Sequence, residues 1–455
     1  MSLHHHSPVY RACHRLGVLA AAGIVSVVVP ANRSAAQAAS ARSPASDTTL
    51  SVHIDSLLDL QTVVQRALNV SPAVVQGEEA IRTARSAERV SVGAYVPSVS
   101  ANSSVMRSNV TTPVGGIQAP DSRSAGLAAS VDLFTGGRRG AERSRTHAEL
   151  GAAEATNVSQ RFSATLVAQR AFYETLRAAQ LVDVARARIT QGERGYRFAQ
   201  DRVRAGTTTR SDELRARLEL TTGRQQLVAA LDTLQTAAYV LGRLVGANGP
   251  VGAKPLATLE PRSLALTDSE VVRLAVDASP SVRTARAAEQ ADIAATKSAR
   301  TLYVPDIRVT GGYNWANQTP IVGAIRPGWA LALGTSFPLF NGWQREDAVT
   351  RAQAATEVAR VTALDVTRDA RAESARLLSG LRFAERNIAL AIEAEQSAQE
   401  DLRVQTERYR AGISTELDQL TSQLAVTQTQ LALVAARFNY QVTRAQLEAL
   451  IGREL

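Results

Sequence analysis

Histidine, cysteine and acidic residues are the side chains that could carry catalysis or bind a metal in this sequence. Downstream of residue 38 the only histidines are His53 and His147, and the only cysteine of the chain, Cys13, lies upstream of both. The HExxH, GxSxG and GxGxxG motifs and the Walker glycine loop are absent from the sequence. The sequence therefore predicts that the protein is not an enzyme and that it binds neither a cofactor nor a metal ion.

Two aspartates stand in matching positions, each shortly after a glycine that interrupts a helical pattern. Asp212 lies in the segment VRAGTTTRSDEL, and Asp418 lies in the segment RYRAGISTELDQL. A glycine with positive φ can end one helix and reverse the chain, and the hydroxyl residues that follow can cap the next helix. Acidic residues near a helix N-terminus are favoured by about 0.3–1 kcal/mol. The simplest interpretation is two helical hairpins that turn at Gly206 and Gly412.

The two hairpins belong to an internal duplication of the chain. Five landmarks recur in the same order in both copies, at separations of 206 or 208 residues. In the first copy the landmarks read NVSPAVVQGEEA, AYVPSVS, VDLFTGGRR, RVRAG and GRLVG. Their counterparts in the second copy, in the same order, read ASPSVRTARAAE, LYVPDIR, FPLFNGWQR, RYRAG and EALIG. Such an ordered series does not arise by chance, so each copy should fold as the same structural unit.

The duplication sets the domain organisation and the fold class. Residues 56–246 form the first copy, residues 267–452 form the second, and residues 247–266, which contain three prolines, connect them. In each copy two amphipathic helices should precede two strands and a long helical hairpin, whose leucines follow the turn at coiled-coil spacing. The strands are predicted at about 96–107, 124–134, 304–315 and 328–340, and the hairpins at about 138–246, turning at 206, and about 343–452, turning at 412. The predicted fold is mainly α with a small β part, in two tandem repeats.

The N-terminal residues differ from the rest of the chain. Arg11 and Arg15 precede the apolar run LGVLAAAGIVSVVV, and small residues follow in SAAQAAS. This order is typical of a secretory signal peptide, which we expect over residues 1–38 with cleavage near Ala38. The apolar run is shorter than the roughly 20 residues of a membrane-spanning helix. Residues 39–55 then form an N-terminal segment before the first copy.

The formal net charge of +9 raises the question of a nucleic-acid partner. Only two lysines occur in the chain, and the arginines are interspersed with acidic residues in stretches such as RTARSAERV and RDARAESARLL. This pattern is typical of a solvated helix face, whereas a phosphate-binding surface would cluster its basic residues. The sequence therefore predicts no nucleic-acid partner.

The predicted strands alternate between apolar and polar residues. In the second copy Ile307 and Val309 alternate with Asp306, Arg308 and Thr310, which predicts a sheet with one apolar and one polar face. Four strands cannot close a barrel, and open edges are not tolerated in lipid. The chain must therefore combine with others in a membrane, where three chains would supply about 12 strands, or remain a soluble sheet covered by the helices.

The segments LFTGGRR and PLFNGWQRE at the strand-to-helix exits, together with the two hairpin turns, resemble the TolC family of outer-membrane efflux proteins over about residues 55–452. The resemblance implies a homotrimer with one shared barrel of about 12 transmembrane strands and a periplasmic α-helical tunnel, in the outer membrane of a Gram-negative-type envelope. It implies the exit duct of a tripartite efflux or type I secretion system. Such a duct passively conducts solutes from an inner-membrane pump of the RND or ABC type, through a periplasmic adaptor (membrane fusion) protein, to the exterior.

The same resemblance implies roles for individual residues. The periplasmic tip turns, where the adaptor docks, correspond to Gly206, Thr207, Gly412, Ile413 and Ser414. The tip gate corresponds to Tyr409, which would hold the tip closed through hydrogen bonds, to Asp418 at the aperture, and to Asp212, its first-copy counterpart with less of a gating role. The strand-to-helix exits correspond to Phe134, Gly136, Gly137, Phe340 and Gly342. The chain departs from the family pattern at Thr208 and Ser414, where a basic residue is frequent, and at Thr421, where a second acid is frequent.

A soluble periplasmic coiled-coil adaptor or spacer is the alternative hypothesis. An adaptor would have one helical hairpin flanked by lipoyl-like and barrel segments rich in Gly and Val. This chain has two hairpins in tandem and two pairs of amphipathic strands, which favours the channel. Neither hypothesis identifies the cargo, which could be a drug, a metal ion or a polypeptide.

Overall fold

The structure is a computed structural model that describes residues 54–107, 121–256, 258–262, 264, 266–316, 326–453 and 455. The predicted signal peptide (1–38), nearly all of the N-terminal segment (39–55) and His53 lie outside the described residues. The described residues belong to one structural unit.

The first copy contains two short helices, a pair of long strands and a helical hairpin. Its elements are β1 (Ser56–Leu58), α1 (Leu60–Val70), α2 (Pro72–Gly93), β2 (Ser98–Arg107), β3 (Asp121–Phe134), α3 (Arg138–Arg204) and α4 (Arg210–Leu244). Helix α3 has 67 residues and extends for about 100 Å at a rise of ~1.5 Å per residue. No proline interrupts it, which allows a helix of this length.

The second copy repeats this order. Its elements are β4 (Val251–Ala253), α5 (Asp268–Ala278), α6 (Pro280–Arg300), a 3₁₀ turn (Thr301–Tyr303), β5 (Asp306–Ala316), β6 (Arg326–Ser336), α7 (Gln344–Arg410) and α8 (Glu416–Ile451). Helix α7 also has 67 residues. None of the helices in the described part of the chain is both long and apolar enough to cross a membrane. The mainly helical fold with a small sheet confirms the predicted fold class.

Four strands, two from each copy, form one antiparallel sheet in the order β2–β3–β5–β6. The register places the apolar residues of neighbouring strands side by side, so one face of the sheet is continuously apolar. Rows of partners across this face are Leu127, Tyr313 and Trp329, and Val131, Val309 and Leu333.

The opposite face of the sheet is polar. The hydroxyls of Ser98 and Ser130 lie 2.8 Å apart across β2 and β3. The Arg308 Nε donates to the Asp132 carboxylate at 2.6 Å across β3 and β5. The alternation in the sequence therefore separates an apolar from a polar face in one sheet.

The strand boundaries differ from the sequence prediction by a few residues. Strand β2 begins at 98 rather than 96, β3 begins at 121 rather than 124, β5 spans 306–316 rather than 304–315, and β6 spans 326–336 rather than 328–340. Strand β6 ends early because Pro338 has no N–H to donate to the ladder. A register shift between Asp132 and Phe134 leaves Leu133 as an extra residue, which bends the end of β3.

The predicted linker at 247–266 is more than a connector, since it contains β4. This strand pairs in parallel with β1, so that Ser56 faces Val251. The Asp55 N–H donates to the Pro250 carbonyl at 3.1 Å, and the Lys254 N–H donates to the Leu58 carbonyl at 2.8 Å. The linker thereby fixes the beginning of the first copy.

The apolar core lies where the short helices cover the middle of the long ones. One cluster joins α1, α3, α4 and β4, and a second joins α5, α7 and α8. Their most deeply buried members, each at most 2% exposed, include Val63, Phe172, Leu241 and Val251 in the first cluster and Val271, Leu381, Ile388 and Tyr440 in the second. Each such side chain contributes about 1.5–3 kcal/mol on burial. The turns at Gly206 and Gly412 lie outside both clusters.

Candidate functional site at the hairpin tips

Both hairpins turn through a glycine with positive φ, as the sequence predicts. The φ angle is +70° at Gly206 and +76° at Gly412. The N–H of Thr207 donates to the Arg202 carbonyl at 2.9 Å, and the N–H of Ile413 donates to the Arg408 carbonyl at 2.9 Å. These bonds satisfy carbonyls that the ends of α3 and α7 would otherwise leave free. The two tips are therefore equivalent turns of defined geometry.

Asp212 and Asp418 both belong to capping boxes at the start of the returning helices. The Thr415 N–H donates to the Asp418 carboxylate at 2.9 Å, and the Asp418 N–H donates to the Thr415 hydroxyl at 3.2 Å. Thr209 and Asp212 make the same reciprocal pair in the first copy. The hydroxyl hydrogen bonds from Thr208 to Asp212 and from Thr415 to Asp418 lower the pKa of each carboxyl. Both acids are therefore charged at neutral pH and stabilise a helix start.

The Tyr409 side chain is buried at the end of α7, with 3% of its surface exposed. Its ring packs edge-on against Phe198 of α3, with the centroids 5.4 Å apart. Its hydroxyl has no hydrogen-bond partner among the described residues of the chain. Burial raises the pKa of this hydroxyl. Within one chain Tyr409 therefore acts through its ring.

Arg202 joins the tip of the first hairpin to that of the second. Its guanidinium lies 4.8 Å from the centroid of the Tyr409 ring, a cation–π distance. Its Nη1 donates to the Tyr409 carbonyl at 3.2 Å, and its Nη2 donates to the Thr207 carbonyl at 3.4 Å. One arginine thus contacts both turns, although Arg202 was not among the predicted site residues.

A comparison of the two copies could have located this contact. The capping threonine, the aspartate and the glycine are the same in both tips, whereas three residues of the contact between the hairpins, Phe198, Tyr409 and Glu416, have different counterparts in the other copy. These first-copy and second-copy pairs, each 206 residues apart, are Phe198 and Val404, Val203 and Tyr409, and Arg210 and Glu416. These three residues of the contact are therefore not repeated in the other copy.

The outer surface of the tips is partly apolar. The side chain of Ile413 is 70% exposed, that of Leu417 60%, and that of Leu218 67%. Ser414, at the position where the family often has a basic residue, donates through its hydroxyl to the Gln405 carbonyl of its own hairpin at 3.5 Å. The tips therefore present apolar side chains on the second turn, at Ile413, and on the returning helices, at Leu218 and Leu417.

The strand-to-helix exits also rely on left-handed backbone. After Phe134, which follows the irregularity at the end of β3, and after Phe340, each exit has two consecutive residues with positive φ. These residues are Gly136 (+59°) and Gly137 (+84°) in the first copy and Gly342 (+65°) and Trp343 (+67°) in the second. Left-handed backbone is unfavourable for a residue with a side chain. The Trp343 ring packs edge-on against Phe340, with the centroids 6.0 Å apart.

An arginine in the first turn of each long helix contacts an aromatic ring next to the strand-to-helix exit. The guanidinium of Arg139 lies 4.9 Å from the Tyr95 ring centroid and donates to the Leu133 carbonyl at 3.3 Å. The guanidinium of Arg345 lies 5.1 Å from the Tyr303 ring centroid. A cation at a helix N-terminus opposes the helix dipole, so these contacts offset an unfavourable placement.

His147 is exposed, and its Nδ1 lies 3.0 Å from a carboxylate oxygen of Glu88. Among the residues that the structure describes, no group of three or more His, Cys, Asp or Glu is arranged to hold a metal ion.

Comparison with known proteins places the chain in a family. Residues 63–247 and 271–453 match the family described as outer membrane efflux protein. The pyoverdine export outer membrane protein OpmQ of Pseudomonas aeruginosa is 24% identical over 408 residues, which cover 87% of this chain and 84% of OpmQ. The outer membrane protein VceC of Vibrio cholerae has a similar structure, with a TM-score of 0.74 and 19% identity over 87% of this chain and 96% of VceC. The open state of the MtrE outer membrane channel of Neisseria gonorrhoeae gives a TM-score of 0.71 and 21% identity over 87% of this chain and 89% of MtrE.

The two matched ranges coincide with the two copies of the duplication and together cover most of the chain. The chain therefore belongs to the outer membrane efflux protein family. It is an efflux protein of the outer membrane with a long helical periplasmic part, as the resemblance implied.

Proposed function

We propose that three copies of this chain form the exit duct of a tripartite efflux or type I secretion system. The four-stranded sheet carries this proposal, since one of its faces is apolar and its outer strands β2 and β6 each pair on one side only among the described strands. Unpaired edges are not tolerated in lipid, so neighbouring copies must supply the missing partners. Three such sheets supply about 12 strands, enough to enclose a water-filled lumen. The face that carries Ser98, Asp132 and Arg308 would then line this lumen.

The partners of this duct are a periplasmic adaptor and an inner-membrane pump of the RND or ABC type. The adaptor docks at the hairpin tips, on the surface formed by Gly206, Thr207, Gly412, Ile413 and Ser414. The exposed apolar side chains of Ile413 and Leu417 support this placement, because helical partners bury such residues on docking. The duct conducts passively, and the pump chooses the cargo.

The mass of the assembly tests this proposal. Native mass spectrometry of the protein extracted in detergent should show three copies of the chain. A folded monomer that stays in solution without detergent would contradict the proposal and favour a soluble adaptor or spacer. A crosslinked pull-down from membranes should then recover an adaptor and a pump.

The tips also form the proposed gate of the duct. Asp418 is exposed and close to the turn, so that three copies would place three carboxylates around a narrow aperture. Asp212 holds the equivalent position in the first hairpin, and the Tyr409 ring holds the two hairpins together. This arrangement supports a tip that is closed at rest and selective for cations.

Asp418→Ala should reduce the preference for cations and the block by multivalent cations in planar-bilayer recordings, because the carboxylates concentrate a negative field at the aperture. The variant also loses the hydrogen bond from the Thr415 N–H to the Asp418 carboxylate, which is one half of the capping box. Thr415→Ala is the matched control, since it removes the cap hydroxyl and keeps the carboxylate. Equal ion selectivity in the parent protein and both variants would show that Asp418 serves only as a cap.

A further inference from the structure

Glu416 is an acid buried between the two hairpins, in the first turn of α8. Only 6% of its surface is exposed, and its Oε2 has no hydrogen-bond partner among the described residues. Glu416 lines a cavity of about 10 Å³ between the hairpins, as do Tyr409, Gln419, Gln423, Glu219 and Tyr196. This volume is about the room that one water molecule needs. Two buried polar atoms, Glu416 Oε2 and the Tyr409 hydroxyl oxygen, therefore lack a hydrogen-bond partner among the described residues, and both residues line one small cavity.

The charged and titratable groups near Glu416 come from the three other helices of the tips. Arg202 and Tyr196 lie on α3, the residues Asp212, Arg215 and Glu219 lie on α4, and Tyr409 lies on α7. Asp212 raises the pKa of Glu416, while Arg215 and Arg202 lower it.

The two arginines are already occupied by other partners. Arg215 pairs with Asp212 at 3.3 Å, and Arg202 binds the Tyr409 carbonyl. Glu219 is itself neutralised by Arg188, 2.7 Å away. The surroundings of Glu416 therefore do not compensate a negative charge.

The protonation state of Glu416 follows from this environment. An ionised carboxylate that loses its water without gaining a cation is unfavourable, so burial, followed by the nearby Asp212 charge, raises the pKa of Glu416 to about 7. When the hairpins separate and water reaches the carboxyl, the pKa should return toward its ordinary value of 4.5. The closed tip thus holds a proton that the separated tip releases.

We propose that Glu416 is a proton-dependent latch between the two hairpins of one chain. The neutral carboxyl occupies the cavity and allows the hairpins to pack, whereas the ionised carboxylate leaves it and separates them. The first copy has Arg210 at this position, so the latch is a property of the second hairpin alone. Its effect on conduction rests on the proposed gate, but the contact itself is a property of the chain.

The direction of the pH dependence follows from linkage. Because the pKa is raised in the closed arrangement, closure is most stable below pH 4.5 and loses stability as pH rises toward about 7. The ratio of separated to closed tips should therefore rise about tenfold between pH 6 and pH 8. Above the raised pKa the ratio should approach a plateau.

Spin-label distances test the latch directly. The only cysteine of the chain is Cys13. A Cys13→Ser background prevents the spin label from reacting at this position in any chain that keeps its signal peptide. Ala205→Cys and Ala411→Cys place labels on the exposed ends of α3 and α7. Double electron–electron resonance, with the labelled chain diluted in unlabelled chain, should give a narrow distance distribution at pH 6 and a broader, longer one at pH 8. Glu416→Gln should keep the narrow distribution at both pH values, because the amide cannot ionise.

Glu407→Gln is the matched control, since Glu407 is an exposed acid near the same tip and pairs with Arg410 at 2.9 Å. This variant should respond to pH as the parent does. Distances that do not change with pH in the parent, or that change equally in Glu416→Gln, would overturn the latch. Planar-bilayer conductance at the same pH values separates the two proposals. If the distances respond while conductance stays constant, the latch stands and the proposed gate fails.

Discussion

Leu331→Arg should destabilise the membrane-inserted protein by about 2–4 kcal/mol. Leu331 lies on β6 opposite Gly311, and its side chain is 70% exposed in the single chain. It shares the apolar face of the sheet with Trp329 and Leu333, so an arginine at this position would have to enter hydrocarbon. Urea unfolding of protein refolded into lipid vesicles, followed by tryptophan fluorescence, measures the loss.

Ala332→Arg is the control for this prediction. Ala332 is the next residue on the same strand and faces Thr310, on the polar side of the sheet. An arginine there would face water in the proposed lumen, and we expect a much smaller loss of stability than for Leu331→Arg. Equal losses in the two variants would contradict the assignment of one face to lipid and the other to water.

Gly136→Ala should produce the second large effect, a loss of stability of about 2–5 kcal/mol. Alanine is strained by about 1–2 kcal/mol at a positive φ, and φ is +59° at Gly136. A Cβ built at Gly136 would also lie 2.2 Å from Cγ1 and 2.3 Å from Cβ of Val304. Relieving such a contact typically costs a further 1–3 kcal/mol or so. The yield of folded protein and the urea midpoint should both fall.

Gly342→Ala separates the two causes. Gly342 occupies the matching exit of the second copy with φ of +65°, and a Cβ there would have no atom of the described residues within 4 Å. This variant should lose only the backbone term of about 1–2 kcal/mol. If it is destabilised as much as Gly136→Ala, the close approach of Val304 does not matter. In that case backbone strain alone accounts for the loss of stability in both variants.

The parts of the fold that could be predicted from the sequence are those that local rules determine. The turns at Gly206 and Gly412 follow from glycine's access to positive φ, and the capping threonines and aspartates that follow act on their own helices. The alternation of apolar and polar residues from Ile307 onward assigns each residue to one face of its strand, because successive side chains of a strand point to opposite faces. Duplication strengthened each prediction because the same local signal occurred twice.

The parts that could not be predicted depend on contacts between distant segments. The pairing of β1 with β4 joins residues about 195 positions apart, and neither three-residue strand carries a periodic signal. The contact of Arg202 with Tyr409 joins two hairpins whose relative placement no local rule gives. The Tyr409 hydroxyl is buried by the same contact and has no hydrogen-bond partner among the described residues of the chain, and no local rule predicts this burial. Glu416 resembled an ordinary acid of a first helical turn, because burial between hairpins leaves no local pattern.

The two open edges of the sheet belong to different strands, β2 of the first copy and β6 of the second. In the proposed trimer, β6 of one molecule would pair with β2 of the next, so every molecule would take part in two unlike contacts. This has a genetic consequence. If a cell makes equal amounts of an intact chain and one with a damaged edge, and they assemble at random into trimers, only about one trimer in eight is free of the damaged chain. A mutation at an edge strand should therefore be dominant-negative, because most trimers in a cell that also makes the normal chain would contain at least one damaged copy.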